Sequence, residues 1–333
     1  MQDGWSRSSA HLALDAAALE RLLRPALGNC AVTGFLPLSG GLANTNYWVT
    51  LARHGEPVVV RVYTRDAEAC GAEVAILRLV AGTVPVPRLL HAACDAEPPY
   101  AISSWVEGVK LEEILATGDA VEASAAGYAA GETLAAVHAH TFDRAGFFGP
   151  GPDLAIAEPL GPIRAACEGY VRERLDEDRV RMRLGATLAE RLAAMMDQWA
   201  VLLDALPDRE ALVHGDYKPQ NLLLRRAAGT DGRWETAAVL DWEFAIAGPP
   251  LFDVGQLLRY RATLPPEYPA GVVAGYTAAG GTLPEEWPRL TRLLDLMNLL
   301  GFLERPEAND AMVCEVRGLV ERTIAEVSFP AGA

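Results

Sequence analysis

The residues with the clearest capacity for chemistry lie in one stretch, His214-Gly215-Asp216-Tyr217-Lys218-Pro219-Gln220-Asn221. An Asp and an Asn five positions apart on a proline-containing loop can turn inward together. The carboxylate can then accept a hydroxyl proton while the amide oxygen meets a hard cation. Asp241 lies 20 residues after Asn221, at the end of the strand-like run AAVL, and is followed by Trp242 and Glu243. The turn-rich link RRAAGTDGRWET joins the two runs, so a hairpin sets Asp241 across from Asn221. Two oxygen donors there suit Mg²⁺, which takes few protein ligands when it rides on phosphate. A lone H-G-D is a turn, and a lone strand aspartate says little. The ordered set of loop, spacing, hairpin and second aspartate carries the reading.

Other elements must hold these groups in place. Leu12 to Leu23 reads as an amphipathic helix. The runs AVTGFLPL, NYWVTLA and PVVVRVY then predict an antiparallel meander, with RHGE as a hairpin link. Glu68 to Val80 has helical apolar spacing, VPVPRLLHA cannot continue that helix, and PYAISSW reads as a further strand. From Leu111 onward Ala/Leu-rich helical stretches dominate, at 121–140, 161–178, 186–206, 251–262 and 287–325. The fold expected is α+β and two-lobed. An antiparallel β-sheet lobe over 1–105 precedes a mainly helical lobe over 106–333, which holds one small hairpin.

The chain resembles the aminoglycoside phosphotransferase-like family of small-molecule kinases, related to choline, homoserine, methylthioribose and fructosamine kinases and built on a protein-kinase-like fold. The resemblance runs from about residue 30 to 262. It rests on H-G-D-Y-K-P-Q-N and L-D-W-E, with softer support from L-S-G-G-L-A-N-T-N-Y, W-V-E-G and L-A-A-V-H. It implies ATP (or GTP) and Mg²⁺ as cofactors and a small-molecule hydroxyl as acceptor. Asp216 would be the catalytic base, and Asn221 and Asp241 the metal holders.

Other positions follow from the same reading. Ser39, Gly40, Gly41 and Asn44 lie between two predicted strands, where paired glycines let backbone N–H groups approach a triphosphate. Arg61 stands in the third strand, where kinases usually place a phosphate-pairing lysine; its planar, permanent charge is not an equal replacement. Glu73, with Glu68 as fallback, resembles the helix glutamate that orients this cation. Backbone groups near Ser104 and Val106 would meet the adenine. Lys218 is one of two lysines against 27 arginines, and a compact ammonium there could neutralise the phosphoryl group in transfer. Glu243 is a second metal or substrate candidate. His214 is placed in the catalytic loop to orient it, His138 reads as structural, and Asp253 caps the next helix or braces the loop.

Composition narrows the alternatives. The chain has 333 residues, a net charge of −15 and 22% charged residues. A nucleic-acid backbone binder needs a basic face, which this balance does not provide. No A-P-E follows Asp241, and the chain runs into a helix without room for a long activation segment, which excludes a protein kinase. A nucleotide-binding regulatory protein without turnover is the remaining alternative, with Arg61 as its support. The N-terminus has no apolar segment of a signal peptide, and LLDLMNLLGFL is too short to span a bilayer. A cytoplasmic protein with no membrane partner is expected, its five scattered cysteines reduced and mostly buried. The acidic residues Glu168, Glu173, Asp176, Glu177 and Asp178 could meet a cationic acceptor, although their alternation with arginines also suits a solvated helix face.

Overall fold

The computed structural model describes residues 12–38, 44–206, 209–229 and 232–328. Ser39, Gly40 and Gly41 lie outside the described residues. Helix α1 (Ala16–Leu27) is N-capped by Asp15, whose Oδ1 accepts from Ala18 N–H at 2.8 Å. Strands β1 (Val32–Pro37), β2 (Thr45–Leu51) and β3 (Val58–Val62) form the expected antiparallel meander. After α2 (Ala69–Val80), β4 (Leu89–Ala93) and β5 (Tyr100–Ser104) complete a five-stranded sheet of order β1-β2-β3-β5-β4.

Alternation along these strands decides which groups face the chemistry. In β2 and β3 the buried Tyr47, Val49, Val58, Val60 and Val62 pack with Leu19 and Leu23 of α1. Each fully buried aliphatic side chain contributes about 1.5–3 kcal/mol. Arg61 has the opposite parity in β3, so it leaves the α1 face and points toward α2.

The second lobe is helical around a single large core, with α3 (Leu111–Ala116), α4 (Ala120–His138), α5 (Ile163–Asp176), α6 (Asp178–Leu184) and α7 (Ala186–Leu203) preceding the segment 214–221. Helices α8 (Leu251–Leu257), α9 (Glu267–Ala278), α10 (Trp287–Glu304) and α11 (Asp310–Ser328) follow it. Two small sheets replace the single hairpin expected. One joins β6 (Val109–Lys110) to the hairpin β11 (Leu222–Arg226) and β12 (Trp234–Val239). The other has the order β7-β10-β13-β8-β9, from β7 (Thr141–Phe142), β8 (Gly146–Phe148), β9 (Ile156–Pro159), β10 (Glu210–Val213) and β13 (Ile246–Gly248). Strands of two to four residues carry too little alternation to be read from sequence.

Helix α9 lies outside the helical stretches expected, and its glycines are poor helix formers by propensity. They instead allow close approach to α4. A Cβ at Gly275 would lie 2.0 Å from Tyr128 O, and one at Gly131 would lie 2.1 Å from Val272 O. The expectation of five reduced thiols is corrected at one pair. Cys70, in the first turn of α2, and Cys94, just after β4, are joined as a disulfide with Cα atoms 5.4 Å apart. Sheet packing brings together two positions 24 residues apart that carry no spacing motif. Cys30, Cys167 and Cys314 are free.

Candidate active site

Two loops lie side by side because their flanking strands are in register. Val213 pairs with Ile246 at the end of β10 and β13. Leu222 pairs with Val239 at the open end of the β11–β12 hairpin. The segment 214–221 therefore runs beside 240–245, and Leu240 N–H donates to Asn221 O at 2.9 Å. That register unites Asp216, Asn221 and Asp241.

Within the loop, Asp216 Oδ2 accepts from Asn221 Nδ2 at 2.9 Å and lies 2.9 Å from Lys218 Nζ. Asn221 Nδ2 also donates to Asp216 O at 2.9 Å, so its Oδ1 is the atom left for a cation. The ring of His214 is fully buried. Its Nδ1 accepts from Asp216 N–H at 3.2 Å, which puts the proton on Nε2, and Nε2 donates to Leu240 O at 2.9 Å. Burial pushes its pKa down despite nearby Asp253 and Asp216, so the ring stays neutral. With both nitrogens committed, His214 is a positioning residue that ties the two loops together.

Asp253 is the brace beneath them. Its carboxylate is wholly buried and accepts from His214 N–H at 2.7 Å and Gly215 N–H at 3.0 Å. His138 Nε2 lies 3.1 Å from the same carboxylate, and His138 Nδ1 lies 2.9 Å from the Tyr276 hydroxyl. The close α4–α9 pair thus sets the ring that sets Asp253. Gln256, one turn further along α8, donates Nε2–H to Gly215 O at 2.6 Å. Gly215 itself has φ 77° and sits so close to the second loop that a Cβ would fall 2.1 Å from Phe244 O. Asp241 also has positive φ, 62°, a conformation costly for a non-glycine residue and held here by the Leu240 contacts on either side.

The other lobe supplies the cation. Arg61 Nη1 donates to Asp241 Oδ1 at 2.5 Å. Its Nε lies 3.2 Å from Glu73 Oε2, off hydrogen-bond geometry, and Nη2 lies 3.6 Å from Glu243 Oε2. Glu73, not Glu68, is the helix partner. Burial would lower the Arg61 pKa, but Glu73 and Asp241 raise it well above its ordinary value. Burial pushes Glu73 up to about 7, against the pull of Arg61 and with Asp241 and Glu243 adding to the rise. Burial also raises Glu243, whereas for Asp241 the Arg61 guanidinium outweighs burial and lowers it. Glu243 accepts from Asn44 Nδ2 at 2.6 Å, and Asn44 Oδ1 accepts from Thr64 N–H at 3.2 Å. Arg65 Nη2 stands 3.8 Å from Glu243 and its guanidinium 4.9 Å from the Phe244 ring centroid. Glu243 and Asn44 therefore join the two lobes.

Asn221 Oδ1 and the Asp241 carboxylate are hard oxygen donors of the kind a phosphate-bound divalent cation takes, while among the described residues no three His, Cys, Asp or Glu side chains cluster as a metal site. At the lobe junction, Ser104 N–H donates to Arg88 O at 2.9 Å and its hydroxyl accepts from Arg88 N–H at 3.0 Å. Those Ser104 groups are spent within the sheet; Val106 lies in the connection between β5 and β6. Gln256 and Arg65 were missed by sequence reasoning, since neither sits in a spacing motif.

The model of the phosphotransferase enzyme family, APH, matches residues 34–293. The chain belongs to that family. No curated protein matches the sequence significantly. Among solved structures, aminoglycoside phosphotransferase APH(4)-Ia superposes with a TM-score of 0.68 at 20% identity, covering 96% of this chain and 100% of the other. The macrolide 2'-phosphotransferase MphH from Brachybacterium faecium gives 0.59 at 19% identity, over 95% and 99%. The gentamicin complex of APH(2")-IIa gives 0.63 at 16% identity, over 95% and 99%. At these identities the likeness establishes a shared kinase-like fold. Among the described residues no helix is long and apolar enough to cross a membrane.

Proposed function

We propose that the chain transfers the γ-phosphoryl group of ATP to a hydroxyl of a small molecule, with Asp216 as catalytic base. The observation that carries this reading is the side-by-side placement of the two loops, which gathers Asp216, Lys218, Asn221 and Asp241 opposite Arg61. Asp216 orients the acceptor hydroxyl and takes its proton as the oxygen attacks phosphorus. Lys218, within contact of Asp216, brings a compact positive charge to the group in transfer. Arg61, steadied by Glu73, pairs with the inner phosphates. Backbone groups from Ser104 O to Val106 would meet the adenine. Asn221 Oδ1 and Asp241 would hold Mg²⁺, with Glu243 beside them. When bound, Mg²⁺ neutralises phosphate charge during transfer. Lys218 aside, most of what this chemistry needs is positioning, which the buried Asp253–His138 brace supplies.

The direct Arg61–Asp241 contact favours a second reading, a nucleotide-binding protein without turnover. Both readings bind nucleotide; only the first releases ADP. The test is ADP release from ATP or GTP across aminoglycosides, macrolides, amino alcohols and sugars, with Asp216→Asn as control. Asp216-dependent release with any alcohol supports transfer. Nucleotide binding with no release from any of them supports the second reading.

A further inference from the structure

The small sheet of β7 to β10 and β13 also sends a loop across to the first lobe. Strand β13 begins at Ile246, three residues after Glu243, and Ala245 N–H donates to Trp242 O at 3.1 Å. On the side away from β10, β13 pairs with β8 through Ile246 with Phe147 and Ala247 with Gly146. β8 turns back into β9, with Phe147 opposite Glu158. Gly149 N–H donates to Ala155 O at 2.9 Å, which closes the neck of the connecting loop, and Asp153 Oδ1 accepts from Ala155 N–H at 3.3 Å inside it. The loop is thus a braced projection anchored on the strand that follows Asp241 and Glu243.

The tip of this loop reaches α2. A Cβ at Gly71, in the first turn of that helix, would lie 1.8 Å from Pro150 O and 2.8 Å from Pro150 C. No side chain fits in that space, so the loop meets the helix backbone itself. Glu73 stands two residues further on, about 200° around a helix of 3.6 residues per turn. The loop therefore backs α2 on the side away from Glu73, whose Oε2 lies 3.2 Å from Arg61 Nε. On the sheet-facing side Cys70 is bonded to Cys94 and packs with Tyr63, Val74 and Ala101. Helix α2 is thus held between the sheet of its own lobe and a loop of the other.

We propose that Gly71 is a positioning residue and that the β8–β9 loop is a strut, which sets the depth of α2 and so keeps Glu73 on Arg61 for nucleotide binding. This rests on the nucleotide-binding part of the phosphotransferase reading, which the second reading shares. β8 is held between β13 and β9 and its loop is closed at the neck, so the helix is the member that yields. A methyl at residue 71 needs an ordinary contact of 3.4 Å, which would move α2 by about 1.6 Å. A shift of that size takes the Glu73 carboxylate off a guanidinium it now approaches to 3.2 Å. Glu73 is buried, so solvent does not replace the lost partner. Arg61 would keep Asp241 but lose the group that aims it at the phosphates.

The test measures the Kd for ATP with Mg²⁺ by calorimetry on the full chain. Gly71→Ala should raise Kd about tenfold in the wild-type background but less than about twofold in Glu73→Gln, because a residue acting through Glu73 then has nothing left to displace. A merely structural role would give the same change in both backgrounds. Pro150→Gly adds no atom and loosens the loop alone. If Gly71→Ala shows no cooperative urea transition, Pro150→Gly is read in its place, with a rise of about threefold that again vanishes in Glu73→Gln. A folded variant with the Kd of wild type, or a rise equally large in the Glu73→Gln background, overturns the strut and leaves the transfer reading intact. Wild-type protein that binds no ATP overturns both.

Discussion

Substituting Asp253 with Ala removes both carboxylate oxygens from beneath the loop 214–221. Three donors then lose their partner in a site sealed from water: His214 N–H, Gly215 N–H and the His138 ring. Hydrogen bonds to a charged group contribute about 1.5–3 kcal/mol each, so the simple sum is about 5–9 kcal/mol. Partial relaxation and non-additivity reduce this, and about 5 kcal/mol is the expected loss. Asp253→Asn keeps the shape and one acceptor oxygen but points an amide donor at a donor, and should cost about 3 kcal/mol. Urea unfolding followed by fluorescence measures both values. In Asp253→Asn, which retains most of the fold, kcat should fall about 100-fold, the scale of a misplacement near 1 Å, with little change in nucleotide affinity. An Asp253→Ala protein within about 1 kcal/mol of wild type, at wild-type turnover, would refute the claim that this carboxylate braces the loop.

Glu73 provides a pH test. Burial raises its folded pKa from the ordinary value to about 7, so the folded state binds the extra proton. That contribution is fully present below about pH 4.5 and is lost as pH rises through 7, so stability falls across that window. Glu73→Gln should flatten the slope of Tm between pH 5 and 8 relative to wild type; an unchanged slope would assign the proton elsewhere. Gly131→Ala places a methyl 2.1 Å from Val272 O and should destabilise by about 1–3 kcal/mol in urea unfolding, since neither backbone can yield cheaply. The Cys70–Cys94 bond closes a loop of 24 residues in sequence separation. Reducing it should cost about 3 kcal/mol by the chain-entropy model, read as a lower Tm with dithiothreitol that the double serine variant no longer shows.

The site was legible where the sequence packs its chemistry onto short connections. Asp216, Asn221 and Asp241 announce themselves by spacing and by the hairpin between them, and the register of β11 with β12 sets the two segments that carry them side by side. Arg61 was singled out by its place in the third strand of the resemblance, and alternation along β3 explains which face it takes. Asn44 lay in a recognisable loop, but its hold on Glu243 across the lobes could not be foreseen from either segment. Gln256 and Arg65 carry no spacing signal, because they reach Gly215 and Glu243 only when segments far apart in sequence pack. The glycines of α9 point to a breaker by propensity and to a close helix contact by packing, and only the second is decided by tertiary structure. The small strands β7, β8 and β13 owe their conformation to partners rather than to their own pattern.

The central claim is that Asp216 acts on the acceptor and does not build the nucleotide site. Transfer of label from γ-labelled ATP to an acceptor, measured together with the Kd for ATP in Mg²⁺ by calorimetry, tests it in one variant. Asp216→Asn should bind ATP within about threefold of wild type and transfer label about 10²–10⁴-fold more slowly, the usual range for a lost general base. Label transfer at the wild-type rate, or a loss confined to ATP binding, would contradict it.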